Sequence, residues 1–476
     1  MDGNGTGHCI QAGSAGRLLP SHASTDPSEG PRRNPAMTEL AAPPVHDPRE
    51  LLRRGVKGPV LTVGDADFAD ELATFDPLVV HRPDVVVGAT DAIDVVAALD
   101  WAARHDLRWG VLGAGHAEVP EHRGGLVVTT RRMDGVEVDP VRRIARVQAG
   151  ARWEQVLAAA DRHGLMPVCG AAPGVGVVGL LTGGGVGPLA RSYGVCSDRV
   201  RSAELVRPGH GVMRIDPQHR PDLLGAVFGG RIDVGIVTSV EIELVVQEGI
   251  SGGGMYFAEA DIPAVVDAFR RWTKDGVADG VTTSLAVLRL PDLPGVPAPL
   301  AGRTVAHLRV AATGAAAGSD PLPPAVRRAA APVLGGVGPL PATRIGCIHA
   351  DPEHPVPHVG GGLLLDEFTG DTAAAWLDAV GPDSGAAVTI AEIRHWGDAL
   401  AITPEDRPDC VPGRDSSFGV WVSAPPAGPD LERPRSSVRR VLDAVRSWGR
   451  GGATVNFSGS ANTRDEVEHG WDSRQQ

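Results

Sequence analysis

Apolar and polar positions along this chain repeat with two different periods. From Pro83, the stretch RPDVVVGATDAIDVVAALDWAARHDLRWGVLGAG reads as strand, helix, strand. Val85 to Val87 is an apolar run of strand length, and Val95, Val96, Leu99, Ala102 and Ala103 form a helical stripe behind Thr90 or Asp91 as a cap. Trp109 to Leu112 is the next strand and ends in a glycine turn. Val136 and Val138 alternate with charge, as do Ala145, Val147 and Ala149, so Asp139-Pro140 starts the turn of a hairpin. Trp153, Val156, Leu157 and Ala160 return to helical spacing, with Gly164 placed to stop that helix. Val237 to Val245 alternates as a strand. After Gly249 the composition shifts: a helix from Ile262 to Lys274, stopped by Gly276, precedes the strand-like GGLLLDEF and AAVTIAEIRHW, with Pro-rich loops at 291–300 and 319–325. The pattern predicts an α+β chain whose residues 248–430 form a second domain.

Composition narrows the class. The chain has 476 residues, 42% of them apolar, enough for a sizeable core. A net charge of −13 argues against a nucleic-acid or anionic-membrane partner, because no basic stripe is available to meet phosphates. Cys9, Cys169, Cys196, Cys347 and Cys410 are scattered without metal-type spacing, which suits reduced thiols in a cytoplasm. No apolar run has membrane-spanning length, and the N-terminus lacks a secretory pattern. Residues 1–42, rich in Gly, Ser, Pro and His, read as a disordered tail. His349, His354 and His358 lie among Pro352, Pro355 and Pro357, which forbid the helix an H-x-x-x-H metal site needs; they read as loop histidines.

The segment AAPGVGVVGLLTGGGVGPLARSYG, Ala171 to Gly194, contains Gly174-Val-Gly176-Val-Val-Gly179. A dinucleotide fingerprint of this form needs a buried strand running into the first glycine and a helix beyond it. Here Pro173 stands before Gly174, Gly183-Gly184-Gly185 would break the helix at its second turn, and no acidic residue ends a strand about twenty positions on. Two glycine clusters separated by a short apolar run instead allow backbone to approach a flat, phosphate-bearing ligand. A glycine-rich surface loop stays open as the plainer reading. The second glycine turn, Gly113-Ala114-Gly115-His116, favours the ligand.

With GAGHAEV, GARWEQVLAAADRHGL, PGVGVVGLLTGGGVGPLARSYGV, GIVTSVEIELV, EIRHWGDALA and VNF in this order, residues 75 to 460 resemble the FAD-linked oxidases of the berberine-bridge-enzyme type, within the vanillyl-alcohol-oxidase superfamily, in a bacterial and divergent form. The resemblance implies a two-domain PCMH-type FAD-binding fold: 43–247 as FAD domain, 248–430 as an antiparallel-sheet substrate domain, and 431–476 returning to the first. It implies FAD joined covalently to His116 through a single attachment, since Ala172 stands where some members carry a second, cysteine link. A neutral imidazole is a competent nucleophile near physiological pH. Flavin contacts carried over by the same resemblance are Gly113, Ala114, Gly115, His116, Pro173, Gly174, Val175, Gly176, Gly179, Gly183, Gly184, Gly185, Asp198, Gly235, Val237 and Asn456.

Several positions depart from the family pattern. Leu112 replaces an arginine, Arg231 and Asp233 intrude after Phe228, Gly413-Arg414 replaces His-Arg, and the sequence runs out at GWDSRQQ before the family's closing helix. The tyrosine of the terminal Y-x-N-F is Thr454, which removes the phenol expected to accept a substrate proton. Glu392 or His395, on a strand-like run, is the substitute candidate for a base; a structural ion pair of Glu392 with Arg394 is the competing reading. The implied activity is FAD-dependent oxidation of a small-molecule alcohol, sugar or C–H/C–N centre in specialised metabolism, with oxygen as acceptor. A flavin-binding scaffold without chemistry and a dehydrogenase using another acceptor are the alternatives.

Overall fold

The computed structural model describes residues 48–117, 121–230, 234–428 and 430–463; the expected tail 1–42, Arg231, Asp233 and the segment after 463 lie outside them. The first strand of the expected strand–helix–strand unit is Val85–Gly88. Asp91 caps the helix Ala92–Arg104 by accepting from the amides of Ile93 and Asp94, and the strand Trp109–Leu112 follows. These two strands flank Leu126–Thr129 in parallel, and Val60–Leu61 closes the four-stranded sheet antiparallel. The helix buries Val95, Ala98, Leu99 and Ala102 against it.

A second, antiparallel sheet is organised around the long strand Ile236–Val246, which pairs with Ile144–Gln148 on one side and Val200–Arg207 on the other. The hairpin Val136–Asp139/Ile144–Gln148 extends one edge and Gly211–Ile215 the other. The helix Trp153–Asp161 packs its stripe of Trp153, Val156, Leu157 and Ala160 into this core. The strand Leu165–Pro167 leading toward the glycine stretch pairs antiparallel with Ile236–Val246, so the topology is not that of a dinucleotide βαβ unit.

The third sheet is large and wholly antiparallel. Ile250–Phe257, Thr304–Thr313, Val281–Arg289, Ile390–His395, Phe418–Ala424 and Val359–Leu365 follow one another across it. The helices Ile262–Asp275, Gly370–Val380 and Glu432–Val445 share an apolar core with one face, which takes Leu308 and Val310 from one strand and Ile393 from another. The opposite face receives His307, Arg309 and Glu392 by the two-residue alternation of a strand. Helix Glu432–Val445 falls in the segment expected to return to the first domain. It instead buries Val438, Val441 and Leu442 in the core of the large sheet; the short turn Val455–Phe457 is what reaches back to the glycine stretch, through Asn456. Among the described residues no helix is long and apolar enough to cross a membrane.

Candidate active site

Strand Trp109–Leu112 delivers the chain into the Gly113–His116 turn, where Gly115 has φ +64° and its carbonyl accepts from the Phe75 amide at 2.7 Å. The amides of Gly113, Ala114, Gly115 and His116 find no acceptor among the described residues. These half-exposed amides are left open to an acceptor from outside the chain, solvent or ligand. His116 packs its ring against Phe75 at 4.1 Å between centroids. Burial pushes its pKa down to about 4, which keeps the imidazole neutral at physiological pH.

The second glycine stretch meets this turn at Gly176, where a methyl would lie 3.1 Å from Ala114 Cβ. Gly174 and Gly179 are bare on the side a Cβ would occupy, with nothing within 4 Å. The Arg152 guanidinium donates to the Gly174 carbonyl and places a cation beside His116. Pro173 abuts Gly346, and Val175 closes a tight turn onto the Ala172 carbonyl. These features fit a flavin dinucleotide: free amides and an arginine for its phosphates, uncovered backbone for its flat surface.

Other positions carried over from the family are occupied by the protein itself. Helix Val177–Thr182 stops at Gly183, and the amides of Gly183 and Gly184 return to Leu180 and Leu181 at 3.1 Å each. The Gly185 amide donates to Asn456 Oδ1 at 2.9 Å. A methyl on Gly183 would strike the Asn456 amide, and one on Gly185 would sit 2.9 Å from Cys196 Cβ. Asn456 and Gly183–Gly185 are thus brought together, joined by the single bond from the Gly185 amide. Asp198 is also engaged, held by both arms of Arg414 at 2.5 and 2.9 Å. Gly235 lacks a side chain because the Val206 carbonyl of the neighbouring strand fills that place, and Val237 is buried in the same ladder. Gly183–Gly185, Asp198 and Gly235 each have a close partner within the chain.

A small pocket lies between the end of the glycine stretch and the polar face of the large sheet. Val186, Gly187 and Pro188 form one wall; Ser284, Arg309, His349, Arg394, His395 and Trp396 line the other. Glu392 stands behind that wall, 1% exposed. Its Oε1 is 2.6 Å from Arg309 Nη1 and accepts from Ser284 Oγ at 2.8 Å, while Oε2 accepts from Arg394 at 2.9 Å. Burial alone would raise its pKa, but the two guanidinium groups hold it well below the ordinary carboxylate range. The ion pair with Arg394, the competing reading of the sequence, is present, and Glu392 is a poor proton acceptor. His395 ends its strand with its ring 5.2 Å from Phe418, and burial drives its pKa to about 3.

Three residues in or behind this wall escaped the sequence. His349 reads as a loop histidine but is 5% exposed, with Nε2 3.5 Å from Glu392 Oε1. His307 and Arg309 sit two apart in VAHLRVAA, polar positions in an otherwise apolar strand, and that interruption was the available signal. The loop after His349 runs on toward His116, which feels Asp351 and His358, and the Val356 amide donates to the Phe75 carbonyl at 3.1 Å. Cavity and glycine turn are therefore connected by one loop. Among the described residues no cluster of His, Cys, Asp or Glu is arranged to hold a metal.

Residues 83–215 match the family model for an FAD binding domain. The chain is 33% identical over 175 residues to the FAD-dependent monooxygenase FUP4 of Fusarium proliferatum, covering 36% of this chain and 34% of that protein. It is 31% identical over 191 residues to (R)-6-hydroxynicotine oxidase of Paenarthrobacter nicotinovorans, covering 40% and 42%. The chain thus spans between a third and a half of the length of these curated relatives. By structure it is similar to BBE-like 1 of Physcomitrella patens, with TM-score 0.76 and 18% identity over 90% of this chain and 94% of that one. It is also similar to 6-hydroxy-D-nicotine oxidase of Arthrobacter nicotinovorans, with TM-score 0.74 and 21% identity over 88% and 92%. Residues 83–215 thus match an FAD binding domain, and the chain shares its PCMH-type fold with these structural neighbours.

Proposed function

We propose that this chain is an FAD-dependent oxidoreductase that oxidises a small-molecule alcohol, sugar or C–H/C–N centre, with oxygen as the electron acceptor. The Gly113–His116 turn carries the reading: its amides lack acceptors among the described residues and close on a half-buried, neutral imidazole within the segment matching an FAD binding domain. Residues 43–247 would bind the cofactor, through this turn, Gly174, Gly179 and Arg152, and 248–430 would supply the substrate wall. His116 would carry the cofactor by a single covalent bond. FAD, when bound, supplies the hydride acceptor.

The chain's own residues hold the substrate and receive its proton. Val186, Pro188 and Trp396 give apolar contact and exclude water. Of the two bases suggested by the sequence, Glu392 is fixed as a carboxylate by its arginines, and His395 has no carboxylate partner. His349 is better placed: it lines the cavity, is neutral through burial, and Nδ1 has no partner among the described residues. Glu392, at 3.5 Å from Nε2, would stabilise the imidazolium formed. Thr454, at the family's tyrosine position, is buried with an unpartnered hydroxyl and is too short to take this role; it is the observation that favours the scaffold reading.

Acid precipitation of the purified protein tests the proposal. Yellow colour should stay with the pellet in the wild type and leave it in His116→Ala. Colour retained by His116→Ala refutes the attachment site, and a colourless protein that FAD cannot reconstitute refutes the flavoenzyme. Fast reduction by substrate with slow reoxidation in air would replace oxygen with another acceptor.

A further inference from the structure

The cavity wall is electrically unbalanced. Strand register sets Arg309, Ser284 and Arg394 abreast across three neighbouring strands. Among the described residues Glu392 is the carboxylate paired with these two guanidinium groups, and both its oxygens are engaged. Burial and the nearby arginines keep His307 and His349 uncharged, so the cluster holds one surplus positive charge, with Arg309 and Glu392 only 3% and 1% exposed at their side chains. Donors are in surplus as well. Arg394 Nε and Trp396 Nε1 are buried donors without a hydrogen-bond partner among the described residues, and both residues line the cavity.

Buried donors and an uncompensated buried cation are each costly unless a ligand supplies the acceptor. Arg394 is also held in place, its guanidinium 4.5 Å over the Phe457 ring, so its planar donor edge is presented in a fixed orientation. The wall opposite, Val186 to Pro188, is apolar. We propose that the cavity selects a substrate carrying a carboxylate on a small apolar body, the carboxylate received by Arg394 with Arg309 behind it. As a statement about substrate this rests on the oxidoreductase reading above; as a statement about binding it does not.

The test is thermal shift and tryptophan-fluorescence titration of the flavin-loaded protein at constant ionic strength. The probes are acetate, benzoate and phenylacetate, each against its neutral amide. At least one carboxylate should bind tenfold or more tightly than its amide. Arg394→Gln should abolish that preference, and Arg394→Lys should restore part of it, which a merely structural arginine would not show. Equal binding or no binding across all three pairs overturns the proposal, as does a preference untouched in Arg394→Gln. A preference seen only after the flavin is stripped also overturns it, because the cofactor's own acceptors would then be what the arginines meet. Flavin retention and turnover are read separately, so failure of the oxidoreductase reading remains distinguishable from failure here.

Discussion

The two ends of the Ala171–Gly194 stretch look alike in sequence and are used in opposite ways. At Gly174 and Gly179 a methyl group would meet open space, and the neighbouring Gly113–His116 turn leaves its amides without acceptors among the described residues. At Gly183, Gly185 and Gly187 the space is taken by Asn456, Cys196 and the Cys169 carbonyl, and the amides of the first two are consumed inside the chain. Glycine abundance therefore does not mark a ligand cradle. What separates the two ends is where each backbone N–H goes, together with what a side chain would hit.

Gly187→Ala should have the largest effect. Its methyl would run into the Cys169 carbonyl oxygen, a backbone atom that no rotamer can move. Overpacking against backbone should cost about 3 kcal/mol or more, read as a fall in the denaturant midpoint. A variant as stable as the wild type would show that the packed end is not packed. Asn456→Ala comes next, at about 1–3 kcal/mol, because it leaves the Gly185 amide without its acceptor. An unchanged midpoint there would mean that water or cofactor serves the amide equally well.

Much of the scaffold was legible because its signals are local. Strand Trp109–Leu112 and the hairpin beginning at Val136 follow from short-range alternation, and Asp91 caps its helix as its position predicts. The Gly113–His116 turn was visible as a glycine turn at the end of a strand. The cavity was not, because its members come from strands far apart in sequence. Arg309, Ser284 and Arg394 become neighbours only through register. His349 read as a loop histidine and stands in a turn that caps the short helical segment Ala342–Ile348, but its burial did not show in the sequence. Asp198 and Gly235 show the same dependence on distant elements. Family order supplied their role, while their actual partners, Arg414 and Val206, lie on other elements.

Acid should separate the open end in a different way. His116 is neutral in the folded protein down to about pH 4, whereas in the unfolded chain it takes up a proton near pH 6.5. The unfolded state thus binds more protons in that window, so stability is lost as pH falls from 6.5 toward 4. For one fully displaced proton the slope is about 1.4 kcal/mol per pH unit. In flavin-free protein, His116→Ala should flatten the pH dependence of the denaturation midpoint by up to this amount between pH 6 and 4.5. His395, with its pKa near 3, should leave a residual slope in the same direction. An identical profile in wild type and His116→Ala would mean that the ring is solvated.

The smallest effect on stability is expected at Gly174→Ala, and it divides the two ends most cleanly. Gly174 does not need the left-handed region, and its methyl would meet no protein atom within 4 Å. Replacing it should leave the flavin-free protein unchanged or raise its stability by about 0.4–1 kcal/mol, since the unfolded chain loses freedom. The same methyl would stand beside the backbone that the cofactor must approach. FAD retention should therefore fall while the melting temperature of the flavin-free protein does not. Loss of both together would mean that Gly174 is packed like Gly187, and retention of both would mean that the cofactor does not use this surface. A fall in retention alone is what a cradle predicts, because there the missing side chain serves the ligand and not the fold.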